Sequence, residues 1–97
     1  MSVLKVQADY GEKLKENEFL VQHVPVGDFA YLVFDVDTFN GAAERVANLL
    51  QNQLEETSTR HDHFWVFSVK DSDGDVIIVE AKSTWICEII TRGVRQQ

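Results

Sequence analysis

Five aspartates hold most of the chemical potential of this chain. Asp35 and Asp37 follow an apolar run, and Asp71, Asp73 and Asp75 alternate through a polar turn. Carboxylates spaced this way can do three things. They can accept backbone N–H groups in turns, meet a basic partner, or converge on a hard divalent cation. Asp71-x-Asp73-x-Asp75 begins like an EF-hand loop, but Val76 stands where that loop needs glycine and Lys82 where it needs its bidentate glutamate. The calcium-loop pattern therefore fails.

His61-Asp62-His63 is the second cluster. In extended chain both imidazoles point to one side, as two zinc ligands must. His61 and His63 are thus weak metal candidates, with His23 or a carboxylate as the third ligand. The competing reading is a strand start beside a helix C-terminus, where a protonated His is favoured. Cys87 sits in an apolar run without a basic neighbour in sequence and reads as a small core residue. A single cysteine forms no internal disulfide, which fits a reducing compartment.

Leu32-Val33-Phe34-Asp35-Val36-Asp37 resembles the first motif of the haloacid-dehalogenase phosphatases, a strand ending in Asp-x-Asp. The resemblance covers these residues alone, and Phe39 departs from the threonine or valine of that motif. The chain is also too short for the doubly wound domain that supplies the remaining catalytic groups, so no role is carried over. No Gly-rich phosphate loop, nucleophile elbow, Cys-x-x-Cys pair or basic-aromatic stripe is present.

The elements that must position these groups follow from periodicity. Ser2–Asp9 alternates weakly and reads as an edge strand. Phe19–Val24 and Phe29–Val36 form a hairpin with Pro25 near its tip, where no ladder donor is required. From Thr38 to Thr57 the period becomes helical, with Ala43, Val46, Ala47, Leu50 and Leu54 on one stripe. Gln51, Glu44, Arg45, Asn48, Asn52 and Glu55 face water in this reading, and Asn40 or Asp37 caps the start. His63–Lys70 and Val76–Ala81 flank an Asp-Gly turn and form a second hairpin. Ser83–Arg92 fits either a third strand of that meander or a short helix; its isoleucines favour the strand.

At 97 residues and 44% hydrophobic content, the chain (1–97) is expected to fold as a single α+β domain. The expected architecture is a mixed, mainly antiparallel sheet of five or six strands with one long helix on one face. A helix of that length returns the chain to the edge where Phe29–Val36 began, so His63–Lys70 should run parallel to it. Asp35, Asp37, Asp71, Asp73 and Asp75 then gather on one rim beside the helix N-terminus.

Strand parity exposes a difficulty. Both faces of the sheet carry large apolar residues, yet one helix can cover only one face. A folded-back N-terminal segment, a helical 83–92, or a second copy of the chain could cover the other. The last is favoured here, with Trp65, Phe67 and Trp85 as dimer-interface candidates.

Charge directs the functional expectation. Residues 28–80 carry three bases against eleven acids, within a net charge of −7. That disfavours direct binding of nucleic acid or an anionic membrane. No apolar stretch is long enough to span a bilayer, and the charged first twenty residues lack a signal-peptide pattern, so a cytoplasmic protein is expected. The expected function is a small non-enzymatic interaction or regulatory protein, without cofactor. One version is an inhibitor presenting spaced carboxylates to a basic, nucleic-acid-binding surface. The alternative is a divalent-metal-dependent hydrolase or transferase using the same aspartate rim.

Overall fold

The computed structural model describes residues 2–24, 27–54, 63–83 and 89–95. Strands β1 (Val3–Gln7), β2 (Glu18–His23) and β3 (Phe29–Phe34) precede helix α1 (Phe39–Leu54). Strands β4 (His63–Lys70), β5 (Val76–Ser83) and β6 (Ile89–Arg95) follow it. One sheet takes all six strands in the order β1-β3-β2-β4-β5-β6. Each neighbouring pair is antiparallel. This is the expected α+β architecture.

The expected crossover is present in a split form. Both β3 and β4 run antiparallel to β2, which lies between them. They are therefore parallel to each other across an intervening strand, and α1 carries the chain over β2. The third strand of the C-terminal meander begins at Ile89, where residue 89 pairs with Ser83. Pro25, His61, Trp85 and Cys87, and the helical extension through Thr57, lie outside the described residues.

The main core lies between α1 and one sheet face. Val21, Val33, Phe67, Val69 and Val79 from the sheet meet Ala42, Ala43, Val46 and Ala47 from the helix, all fully buried. Alanines at the contact let the helix approach the pleated surface closely. Thr38, rather than Asn40 or Asp37, caps α1: its Oγ1 accepts the Gly41 N–H at 2.9 Å and its carbonyl accepts the Ala42 N–H at 3.1 Å. The capping role falls to Thr38 because it directly precedes the first helical residue.

The opposite face holds a second, smaller core. Leu20, Ala30 and Leu32 alternate in register with the main-core residues of β2 and β3 and bury against Leu14, with Val6 and Tyr10 at the margin. The segment between β1 and β2 thus folds back over this half of the sheet. It is pinned by the Gln22 amide donating to the Ala8 carbonyl at 2.9 Å and by a local turn in which Glu18 accepts the Lys15 N–H at 2.7 Å. Asn17, at φ 64°, supplies the left-handed step that Asn tolerates.

The remaining half of that face, on β4, β5 and β6, has no cover among the described residues. Phe64 is 60% exposed and Ile90 52%. Trp65 and Phe67, the expected interface residues, point the other way: they are 7% and 0% exposed beneath α1. The parity of β4 decides this, because odd-numbered residues serve the intramolecular core and Phe64 and Val66 remain outside. Gln51 is a second departure, buried at 5% and accepting a hydrogen bond from the Ser83 hydroxyl.

Candidate functional site

The two strands that lead into the aspartates end at one edge of the sheet. Glu18, at the start of β2, pairs with Phe34, and Leu20 pairs with Lys70, so β3 and β4 finish side by side across β2. At that edge the aspartates separate into two groups.

Asp71, Asp73 and Asp75 form a tight trio, with one ligand oxygen from each within 4.8 Å of the others. The turn itself uses this chemistry. Asp71 Oδ1 accepts the backbone N–H groups of Asp73 at 3.0 Å and Asp75 at 2.9 Å. The Asp71 N–H donates to the Asp75 carbonyl at 3.0 Å, and Gly74 at φ 89° reverses the chain. One carboxylate therefore organises the hairpin, and only Asp73 and Asp75 are fully exposed. Asp73 shares a depression with Ser72 and with Lys13, Lys15 and Glu16 of the β1–β2 segment.

Asp35 and Asp37 belong to the helix start. Asp35 sits at φ 63°, a left-handed step that turns the chain out of β3. Both line a depression with Thr38, Glu44, Arg45 and Asn48 along the first turns of α1, where negative charge is favoured by the helix dipole. Among the described residues, neither joins the Asp71–Asp73–Asp75 oxygens as part of one cation-binding group. The rim is thus one edge with two separate acidic patches.

Among the described residues, His23 and His63 do not converge. His63 stacks on Trp65 with ring centroids 5.9 Å apart, and His23 on Phe67 at 5.7 Å. His23 lies opposite Phe67, four residues along β4 from His63. At ~3.3 Å per residue that separates the two by about 13 Å, too far for one ion. His23 and His63 thus stand apart on neighbouring strands, and His61 lies outside the described residues.

Two further surfaces arise from tertiary packing. The first is the open half-sheet carrying Phe64, Val66, Ile78 and Ile90, on one face by register; parity separates Phe64 and Val66 from the core, but the side that α1 covers needed tertiary information. The second is a cleft of about 240 Å3 between α1 and the start of β1, lined by Ser2, Val3, Arg45, Asn48, Leu49 and Asn52. Arg45, Asn48 and Asn52 recur at helical spacing, which is the signal that marks them as one wall.

The chain was compared with protein-family models, curated proteins and solved structures. It significantly matches none of them. Function must therefore be argued from these surfaces.

Proposed function

We propose that this chain is a small, non-enzymatic protein-interaction domain whose contact surface is the uncovered β4–β5–β6 half of the sheet. The observation that carries this reading is the exposure of Phe64 and Ile90, 60% and 52%, on the same side as half-buried Val66 and Ile78. By register Lys82 stands between Phe64 and Ile90, and Glu80 lies opposite Val66, so the face is a mixed one in which two large apolar side chains flank a lysine and are costly to leave wet. The first expected occupant is a second copy of the chain, giving a cytoplasmic homodimer.

The acidic end supplies a second element of the same reading. Asp35, Asp37, Asp71, Asp73 and Asp75 lie at one sheet edge within the most negative part of the chain. Such a field steers association with a basic protein surface, including one built for nucleic-acid phosphates, and an inhibitor of that surface is the specific version.

Sedimentation velocity over a wide concentration range tests the contact surface. Self-association abolished by Phe64→Ser with Ile90→Ser supports it; a monomer at every concentration removes the homodimer. The alternative reading, metal-dependent hydrolysis or group transfer, draws on the trio of oxygens within 4.8 Å. It requires thermal stabilisation by Mg2+, Mn2+ or Ca2+ that disappears in Asp73→Asn.

A further inference from the structure

We infer that Glu80 and Lys82 make the uncovered half-sheet complementary to itself: two copies pack face to face with their strands antiparallel, and each Lys82 meets the partner's Glu80. The pairing rests on the proposed reading of that half-sheet as a contact surface and deepens it by fixing orientation and register.

Register lays the face out in rows. Phe64, Lys82 and Ile90 form one row across β4, β5 and β6, and Val66, Glu80 and Arg92 form the next. Val24 extends the second row, its N–H donating to the Val66 carbonyl at 2.8 Å. Val24, Phe64 and Ile90 are all exposed, so apolar groups surround a glutamate and a lysine on the middle strand. Among the described residues, the charges of this half-face are Lys70, Glu80, Lys82 and Arg92. Lys70 stands apart, ~20 Å from Phe64 along β4 and next to the Asp71 turn.

Two identical faces that meet are related by a two-fold axis lying between them, and facing sheets keep their strands nearly aligned. An axis along β5 would set Lys82 on the partner's Lys82 and Glu80 on the partner's Glu80. It would also bring both Asp71–Asp75 turns to the same end. An axis across the strands, between the two rows, exchanges the rows instead. Lys82 then faces the partner's Glu80 twice over, on the middle strand, where sheet twist displaces the contacts least. Phe64 meets the partner's Val66. Ile90 packs on the stem of the partner's Arg92, whose guanidinium reaches water at the β6 edge.

Distance and charge agree with this arrangement. Facing sheets stand ~10 Å apart, a gap that a lysine and a glutamate side chain span end to end. The acidic turns come to opposite ends, about 40 Å apart, which is several Debye lengths at physiological salt. Moving the axis onto either row restores Lys82 on Lys82 or Glu80 on Glu80. Moving it beyond Glu80 sets Glu80 against the partner's Ile78 and Lys82 against the partner's Val76. Charge pairs of this kind fix register and partner choice more than affinity.

Charge exchange tests the pairing by sedimentation velocity on the full chain. Glu80→Lys leaves only bases at positions 80 and 82, and Lys82→Glu only acids. Each variant alone is expected to keep its far-UV CD spectrum and to raise the dimer Kd at least about tenfold. Mixed in equal amounts they are expected to form a heterodimer, identified by native mass spectrometry with one variant isotope-labelled. Both exchanges in one chain are expected to restore the homodimer. These recoveries separate the pairing from an effect through Arg92, because Glu80→Lys sets like charges opposite Arg92 in every case. Glu80→Gln and Lys82→Gln bring no like charge to Arg92, and each is also expected to weaken the dimer. A wild-type monomer up to about 1 mM, or a dimer indifferent to Phe64→Ser with Ile90→Ser, overturns the contact surface and the pairing together. A wild-type dimer lost in that double serine variant, yet unmoved by the Glu80 and Lys82 variants or not recovered on mixing, overturns the pairing and leaves the contact surface standing.

Discussion

The Ser83 hydroxyl donates a hydrogen bond to the Gln51 side-chain carbonyl in the interior, where the two residues are 3% and 5% exposed. This contact ties the later turns of α1 to the far end of β5. A buried acceptor that loses its donor bears a desolvation penalty larger than the net value of an ordinary surface hydrogen bond. Ser83→Ala is expected to cost about 1 to 2 kcal/mol, a fall of roughly 4 to 16 °C in Tm for a chain of this size. A double-mutant cycle with Gln51→Leu, read by urea denaturation, should show favourable coupling between the two sites; additive effects would dissociate them.

The smaller core makes a different prediction. Leu14 is 7% exposed and is the one buried residue that the β1–β2 segment contributes against Leu20, Ala30 and Leu32. Leu14→Ala should destabilise by roughly 2 to 4 kcal/mol, since the site loses both transfer energy and packing. Native-state hydrogen exchange should then show the segment of residues 8–17 opening before β2 and β3. If exchange rises equally throughout the chain, the segment is part of the global unit and not a separable cover.

Alkaline pH addresses the same segment. Partial burial raises the Tyr10 phenol above its usual 10.0, and the charges of Glu12 and Glu18 and the hydrogen bond to Glu12 raise it further. The folded chain therefore prefers the protonated phenol more than the unfolded chain does. Its contribution to stability is complete below pH 10.0 and is lost as pH rises through the elevated folded value. In a Tyr31→Phe background, phenolate absorbance should titrate later in the native protein than in urea. Glu12→Gln should bring the native titration back toward the unfolded one.

Much of this fold is legible in the sequence because hydrophobic period and turn chemistry agree. Asp71–Asp75 with its Gly74 predicts the β4–β5 hairpin, and the switch to helical period after Asp37 predicts α1. The parallel relation of β3 and β4 follows from helix length alone. What is not legible depends on which side of each strand the helix takes. Trp65 and Phe67 look like interface anchors until α1 claims the odd-numbered face of β4, leaving Phe64 outside. Gln51 looks solvent-facing because its amide is polar, yet Ser83, thirty-two residues later, satisfies it. Leu14 is surrounded by charged residues in sequence, so nothing local marks it as core. Strand direction brings the aspartates to one edge, but their division into a turn trio and a helix-start pair depends on side-chain direction.

That division separates structure from charge at Asp71. Its Oδ1 accepts two backbone N–H groups, from Asp73 and Asp75, whereas Asp73 and Asp75 contribute no comparable side-chain acceptor to the turn. Asp71→Asn retains an oxygen in the same place and should leave Tm nearly unchanged. Asp71→Ala removes the acceptor from both donors and should cost about 1 to 2 kcal/mol, measured by urea denaturation. Asp73→Lys with Asp75→Lys should leave stability equal or slightly higher, because like charges held close together repel. The same double reversal should abolish attraction to a basic protein surface if the acidic edge steers association, and that loss should shrink as ionic strength rises. A destabilised double reversal would show instead that Asp73 and Asp75 serve the hairpin, as Asp71 does.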